Sequence, residues 1–119
     1  RDLADAVGQA RRRYPGLPLE VEVESESELA AVLPARPDWV LLDNMTPARL
    51  RRCVRLAAGR CPLEASGGVT LAGVRAVAAA GVQAISLGCL THSAPAADLS
   101  LEWEAEPPPR AVHRPGRLP

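Results

Sequence analysis

Four residues recur at a nearly constant interval along this chain: Glu22, Asp43, Ser66 and Gly88, separated by 21, 23 and 22 positions. Each stands at or close to the C-terminal end of its own expected strand, and helical patterns fill the gaps between strands. Such alternation, with strands that are almost wholly apolar, predicts parallel strands covered by helices and joined by right-handed crossovers. In a parallel α/β barrel the C-terminal strand ends open on one rim, where active sites collect. The period therefore predicts that two acids, a hydroxyl with paired glycines and a further glycine converge on one mouth. A closed barrel needs about 200 residues or more, whereas this chain has 119. The expected class is thus α/β: a partial (half) TIM-like barrel with parallel strands and alternating helices. A half-barrel leaves two sheet edges and an apolar inner face open, which invites partner pairing or aggregation.

Local signals place the elements. Leu3, Ala6, Val7, Ala10 and Tyr14 share one helical face, and Pro15-Gly16 ends that helix. Leu19 to Glu24 alternates strictly, valines one way and Glu20, Glu22 and Glu24 the other, which is a strand pattern. Ser25 with Glu28 makes a capping box for a short helix to about Leu33. Trp39–Asp43 is the second strand, and Asn44 is expected to close its turn with side-chain hydrogen bonds. Thr46 and Pro47 are N-cap and first residue of a helix to about Ala58. The third strand ends in Ser66-Gly67-Gly68. Thr70 is then expected to cap a helix over 71–80 that Gly81 stops, and Gln83–Leu87 is the fourth strand. Leu90 to Pro95 reads as a loop or helical turn, and 98–103 as a short closing strand or edge segment. Residues 1–104 form the expected half-barrel, and the proline-rich 105–119 is expected to be disordered.

Composition excludes several functions. Net charge is zero, so nothing suggests capture of nucleic acid or of an anionic membrane. The basic residues are all arginine, so no lysine here can act as base, Schiff-base former or phosphate clamp. Cys53, Cys61 and Cys89 lack any C-x-x-C spacing, which argues against zinc and for free thiols in a reducing compartment. No apolar run reaches the ~20 residues a membrane helix needs. The chain starts without Met and within a helical pattern, the expectation for a fragment.

Two groups carry the chemistry. Glycines between a strand and a helix leave backbone N–H groups uncovered, and with a helix's positive end behind them such groups attract phosphate. Ser66, Gly67 and Gly68 are that cradle, and Gly88 at the next strand end completes it. Glu22 and Asp43 suit acceptance of hydrogen bonds from sugar hydroxyls, or a water-coordinated magnesium ion. Asp43 ends an apolar strand, where a buried acid needs a partner. Glu20 and Glu24 divide evenly between this role and a solvated strand face. Glu64 shares the face of Ser66. His92 either donates to a phosphate or caps a turn, and Trp39 and Trp103 are expected to be packing residues.

Taken together, Glu20–Glu24, Leu42-Asp43-Asn44-Met45, Glu64–Thr70, Ile85–Pro95 and 98–101 resemble the quinolinate phosphoribosyltransferase family, the carboxylating nicotinate-nucleotide pyrophosphorylases. The resemblance covers Leu19 to Trp103 in order. It implies a transferase making nicotinate mononucleotide, CO2 and pyrophosphate from quinolinate and phosphoribosyl pyrophosphate in NAD biosynthesis. It further implies Mg2+ as cofactor, an open α/β barrel beside an N-terminal α+β domain, a homodimer or larger, and a cytoplasmic location. By resemblance Glu22 and Asp43 bind the ribose hydroxyls or the substrate's magnesium, and Ser66, Gly67, Gly68 and Gly88 bind the 5′-phosphate. The cations that grip quinolinate in the family lie outside the matched segments, and Arg11, Arg12 and Arg13 do not replace them. The chain alone is therefore expected to be inactive. Alternatives are a related barrel phosphate-binding protein, such as a molybdenum-transport paralogue or a thiamine-phosphate synthase-like protein, and a non-catalytic remnant.

Overall fold

Residues 3–91 and 96–101 are described by the structure, a computed structural model. In chain order the elements are α1 (Leu3–Arg13), β1 (Glu20–Val23), α2 (Glu26–Val32), a 3-10 turn (Leu33–Ala35) and β2 (Trp39–Asp43). They continue with α3 (Pro47–Ala57), β3 (Leu63–Ser66), α4 (Val74–Ala78), β4 (Ala84–Ile85) and a second 3-10 turn (Gly88–Leu90). The four strands form one parallel sheet in the order β1-β2-β3-β4. Sequential order with parallel pairing is what a run of βα units gives, and part of an α/β barrel is present.

The register decides which residues share a face. Val23, Leu42, Ala65 and Ile85 lie side by side, as do Val21, Val40 and Leu63. Val23, Val40, Leu42, Leu63 and Ala65 are buried beneath the helices, packed with Leu29, Val32, Leu50, Cys53, Ala57 and Val77. Each fully buried Leu or Val contributes about 1.5–3 kcal/mol relative to exposure. The alternate positions, Glu20, Glu22, Trp39, Leu41, Glu64 and Ala84, occupy the opposite, open face. That face is therefore not the apolar surface expected of an unclosed barrel. It carries carboxylates.

Caps follow the sequence. Ser25 Oγ accepts from the Glu28 N–H at 3.2 Å, while the Glu28 carboxylate reaches back to the Glu24 N–H at 2.7 Å. Thr46 Oγ1 accepts from the Arg49 N–H at 3.4 Å, and Pro47 opens α3. Ala58 then ends α3 in the left-handed conformation.

The third unit departs from expectation. Residues 71–73 form a turn and α4 has only five residues. Thr70 still caps, since its Oγ1 accepts from the Gly73 N–H at 3.2 Å, but it organises the turn. Leu71 is 85% exposed, so no apolar packing extends the helix toward Thr70. Gly81 does stop the segment, at φ +96°. The fourth strand is limited to two residues. Leu99 and Leu101, 88% and 101% exposed, lie in no strand, because neither finds a partner surface. His92, Trp103 and the 105–119 tail lie outside the described residues.

Candidate functional site

The rim is formed where β1, β2 and β3 end. Val23 is opposite Leu42, and Asp43 is opposite Ser66 in the β2–β3 register. Beyond the last pair the chains stay joined, since the Asn44 N–H donates to the Ser66 carbonyl at 2.9 Å. Asn44 takes φ +52°, a left-handed turn that Asn tolerates. Its side chain makes no hydrogen bond to the described residues, so the backbone closes this turn, not the amide.

Gly67 fits against this turn because it lacks a side chain. A Cβ there would lie 2.6 Å from the Asn44 nitrogen, 2.8 Å from its Cα and 2.9 Å from Asp43 Oδ1. Gly67 and Gly68 both have positive φ, +87° and +60°. Their N–H groups donate to no described residue, and neither does that of Gly88. An open pocket of about 380 Å³ is lined by Ser66, Ile85, Ser86, Leu87, Gly88, Leu90 and Thr91. The structure thus brings Ser66 and Gly88 together as the sequence period predicts. The expected helix end behind the glycines is different: α4 starts at Val74, so the free amides stand there without a long helix's dipole behind them.

On the acidic side, carboxylate oxygens of Glu22, Glu24 and Asp43 all lie within 4.8 Å of one another. Glu24 stands one residue beyond β1 and joins the two expected acids. Its signal was its phase, two residues past Glu22 on the same side. Asp43 is half-buried rather than buried, so water as well as a ligand can reach it. Oxygen donors of this kind suit a hard divalent cation. Mg2+ places opposite donors about 4.2 Å apart, so the trio fits after a small contraction or through bound water.

Lower on the open face, Glu20, Trp39, Glu64 and Pro18 line a pocket of about 400 Å³. Trp39 is a half-buried pocket wall and not a core residue. Burial, then the Glu64 charge and a hydrogen bond with the Glu64 carboxyl, raise the Glu20 pKa above its ordinary value. Glu64 also accepts a short hydrogen bond from Ser86 Oγ. Ser86 was not foreseen, although its place two residues before Gly88 puts it in phase with the site. Among the described residues, the open-face strand positions hold no arginine or histidine. The described residues include no helix long and apolar enough to cross a membrane.

The sequence model for "Quinolinate phosphoribosyl transferase, C-terminal domain" matches residues 1–102. The chain belongs to that family. It is similar to the nicotinate-nucleotide pyrophosphorylase [carboxylating] of Rattus norvegicus, with 41% identity over 100 residues, 80% of this chain and 33% of the relative. The probable enzyme of that name from Bacillus subtilis is 39% identical over 84 residues, 71% of this chain and 29% of the relative. The solved nicotinate-nucleotide pyrophosphorylase of Francisella tularensis superposes with a TM-score of 0.72 at 35% identity, covering 75% of this chain and 32% of that one. The QRPTase-family chain described here therefore spans about a third of the length of the relatives it matches.

Proposed function

We propose that this chain supplies the phosphoribosyl-binding part of a quinolinate phosphoribosyltransferase site, in an enzyme that converts quinolinate and phosphoribosyl pyrophosphate to nicotinate mononucleotide, CO2 and pyrophosphate. The observation that carries the reading is the pairing of Asp43 with Ser66 at neighbouring strand tips, locked by the Asn44–Ser66 hydrogen bond. An acid and an anion cradle side by side match the two ends of a ribose 5-phosphate. The free amides of Gly67, Gly68 and Gly88, with the Ser66 hydroxyl, hold the 5′-phosphate. Glu22 and Asp43 accept hydrogen bonds from ribose hydroxyls, which fixes the ring by both ends.

These carboxylates also favour the positive charge that develops at the anomeric carbon as pyrophosphate departs. Glu22, Glu24 and Asp43 are the residues that would hold Mg2+, which when bound neutralises pyrophosphate charge. Among the described residues the open face offers quinolinate's two carboxylates no cation, so the chain by itself binds the sugar phosphate without turning it over. Preorganised charge of that kind is worth about 3–4 kcal/mol per donor lost. The cation-bearing partner segment, a homodimer or larger assembly and a cytoplasmic setting belong to the same proposal.

Calorimetric titration with phosphoribosyl pyrophosphate and Mg2+ tests it. Saturable binding is expected, and Ser66→Asp abolishes it by placing a negative charge in the cradle. Equal binding by Ser66→Asp and the parent would refute the phosphate assignment. Mixing with a separately made N-terminal portion of the enzyme should restore nicotinate mononucleotide formation.

A further inference from the structure

The opposite end of the sheet, where helices hand over to strands, carries the reverse charge. Arg36 lies between the first 3-10 turn and β2, and Arg60 between α3 and β3. With Leu33 and Pro34 they line a pocket of about 590 Å³, inside the range of about 300–1,000 Å³ common for small-molecule sites. The side chain of Arg60 and the backbone of Arg36 are held in place. Arg60 donates from Nε to the Ala57 carbonyl at 3.0 Å and from Nη2 to the Leu56 carbonyl at 2.5 Å. A guanidinium has five N–H groups, so three remain. Arg36 sits at φ +52°, its N–H donating to the Leu33 carbonyl and its own carbonyl accepting from Arg11 Nη2 at 2.7 Å.

The Arg36 guanidinium makes no hydrogen bond or ion pair to a described residue. The nearest acid in sequence, Asp38, is already committed to Arg11 at 3.2 Å and to the Leu19 N–H at 2.8 Å. Among the described residues the lining thus pairs two guanidiniums with an apolar wall and includes no carboxylate.

We propose that this pocket binds a small organic oxyanion, a phosphate ester or carboxylate whose apolar body rests on Leu33 and Pro34. The forked donors of arginine match the oxygens of either group. The strand N-termini are the scaffold end of such a sheet, so a ligand here would act on β2 and β3 from the side opposite the rim.

Amide NMR titration of the full chain tests this, with phenyl phosphate and succinate as separate probes. Saturable shifts are expected at Leu33, Arg36 and residues 58–60 with at least one probe, and the responding probe identifies the acid group. Arg36→Glu should weaken that binding at least about tenfold, since it reverses a charge beside the anion. The Arg36 guanidinium holds no hydrogen bond or ion pair to a described residue, so this variant is expected to keep its fold, which circular dichroism checks. Ser66→Asp, at the rim, should leave the binding within about twofold. Failure of both probes to saturate, equal binding by Arg36→Glu, or loss in Ser66→Asp alone would overturn the proposal. Loss in Ser66→Asp alone would place the probe in the rim cradle, whereas the other outcomes leave the phosphoribosyl site untouched, since its own titration uses phosphoribosyl pyrophosphate and Mg2+.

Discussion

Replacing Gly67 with alanine tests the geometry on which the rim depends. At φ +87° an L-residue bears the left-handed penalty of about 1–2 kcal/mol. The added methyl would also stand 2.6 Å from the Asn44 nitrogen and 2.8 Å from its Cα, both backbone atoms that cannot swing aside. Forcing a group into a packed contact of that kind costs about 1–3 kcal/mol more. The sum, about 2–5 kcal/mol, is a large share of the roughly 5–15 kcal/mol that holds a domain together. Gly68 is the internal control. It has φ +60° with nothing within 4 Å of a Cβ, so Gly68→Ala meets the left-handed penalty alone. Urea unfolding followed by circular dichroism should show Gly67→Ala less stable than Gly68→Ala by about 1–3 kcal/mol. Gly67→Ala should also lose phosphoribosyl pyrophosphate binding, because relief of the clash separates the Asp43 and Ser66 tips. Equal stability of the two variants would show that the β2 and β3 turns do not touch.

Other consequences can be measured alongside. Asp43→Asn removes one charge from the three-carboxylate cluster and should weaken Mg2+ binding by about tenfold, read by calorimetry, while the phosphate cradle persists. Glu20 has a raised pKa in the fold, so it binds its proton more tightly there than in the unfolded chain. Its contribution is present below the ordinary carboxylate range and is lost as pH rises through the elevated value; Glu20→Gln should flatten that fall in urea midpoints. Burial raises the pKa of Cys53 and Cys61, whereas Cys89 is exposed. A thiol reagent should therefore modify Cys89 first and reach the other two only as the fold opens.

Much of the sheet was legible because burial and chemistry alternate in the sequence. Val21 and Val23 against Glu20 and Glu22 leave only one register in which the valines meet Leu42 and Val40, and the structure adopts it. The same alternation predicted that Glu64 shares the face of Ser66. What escaped depended on neighbours. The phase of Glu24 left it evenly divided between the site and a solvated face, because it lies past the last paired residue of β1 and its arrival beside Asp43 depends on how the β1 end leaves the sheet. A helix over 71–80 was expected from spacing, yet Leu71 and Ala72 face solvent and only Val77 and Ala80 are buried there. Helical spacing without a surface to pack on does not sustain a helix of that length.

The distribution of strand contacts adds a last step. β1, β2 and β3 share four-residue registers, whereas β3 and β4 share two residue pairs. The β4 side of the cradle is held by few further bonds, among them the Ser86 N–H to the Ala65 carbonyl at 2.9 Å and the Ser86 hydroxyl to Glu64. The acidic half of the site therefore rests on the well-paired strands, and the Gly88 half on the thinly paired one. A phosphate bridging the Gly67-Gly68 turn and Gly88 would add its bonds where pairing is weakest. Ligand binding and the ordering of β4 should then be one event, and amide exchange at Ser86 and Leu87 should slow when phosphoribosyl pyrophosphate is present, while exchange at Val40 and Leu42, already buried in the centre of the sheet, should change little.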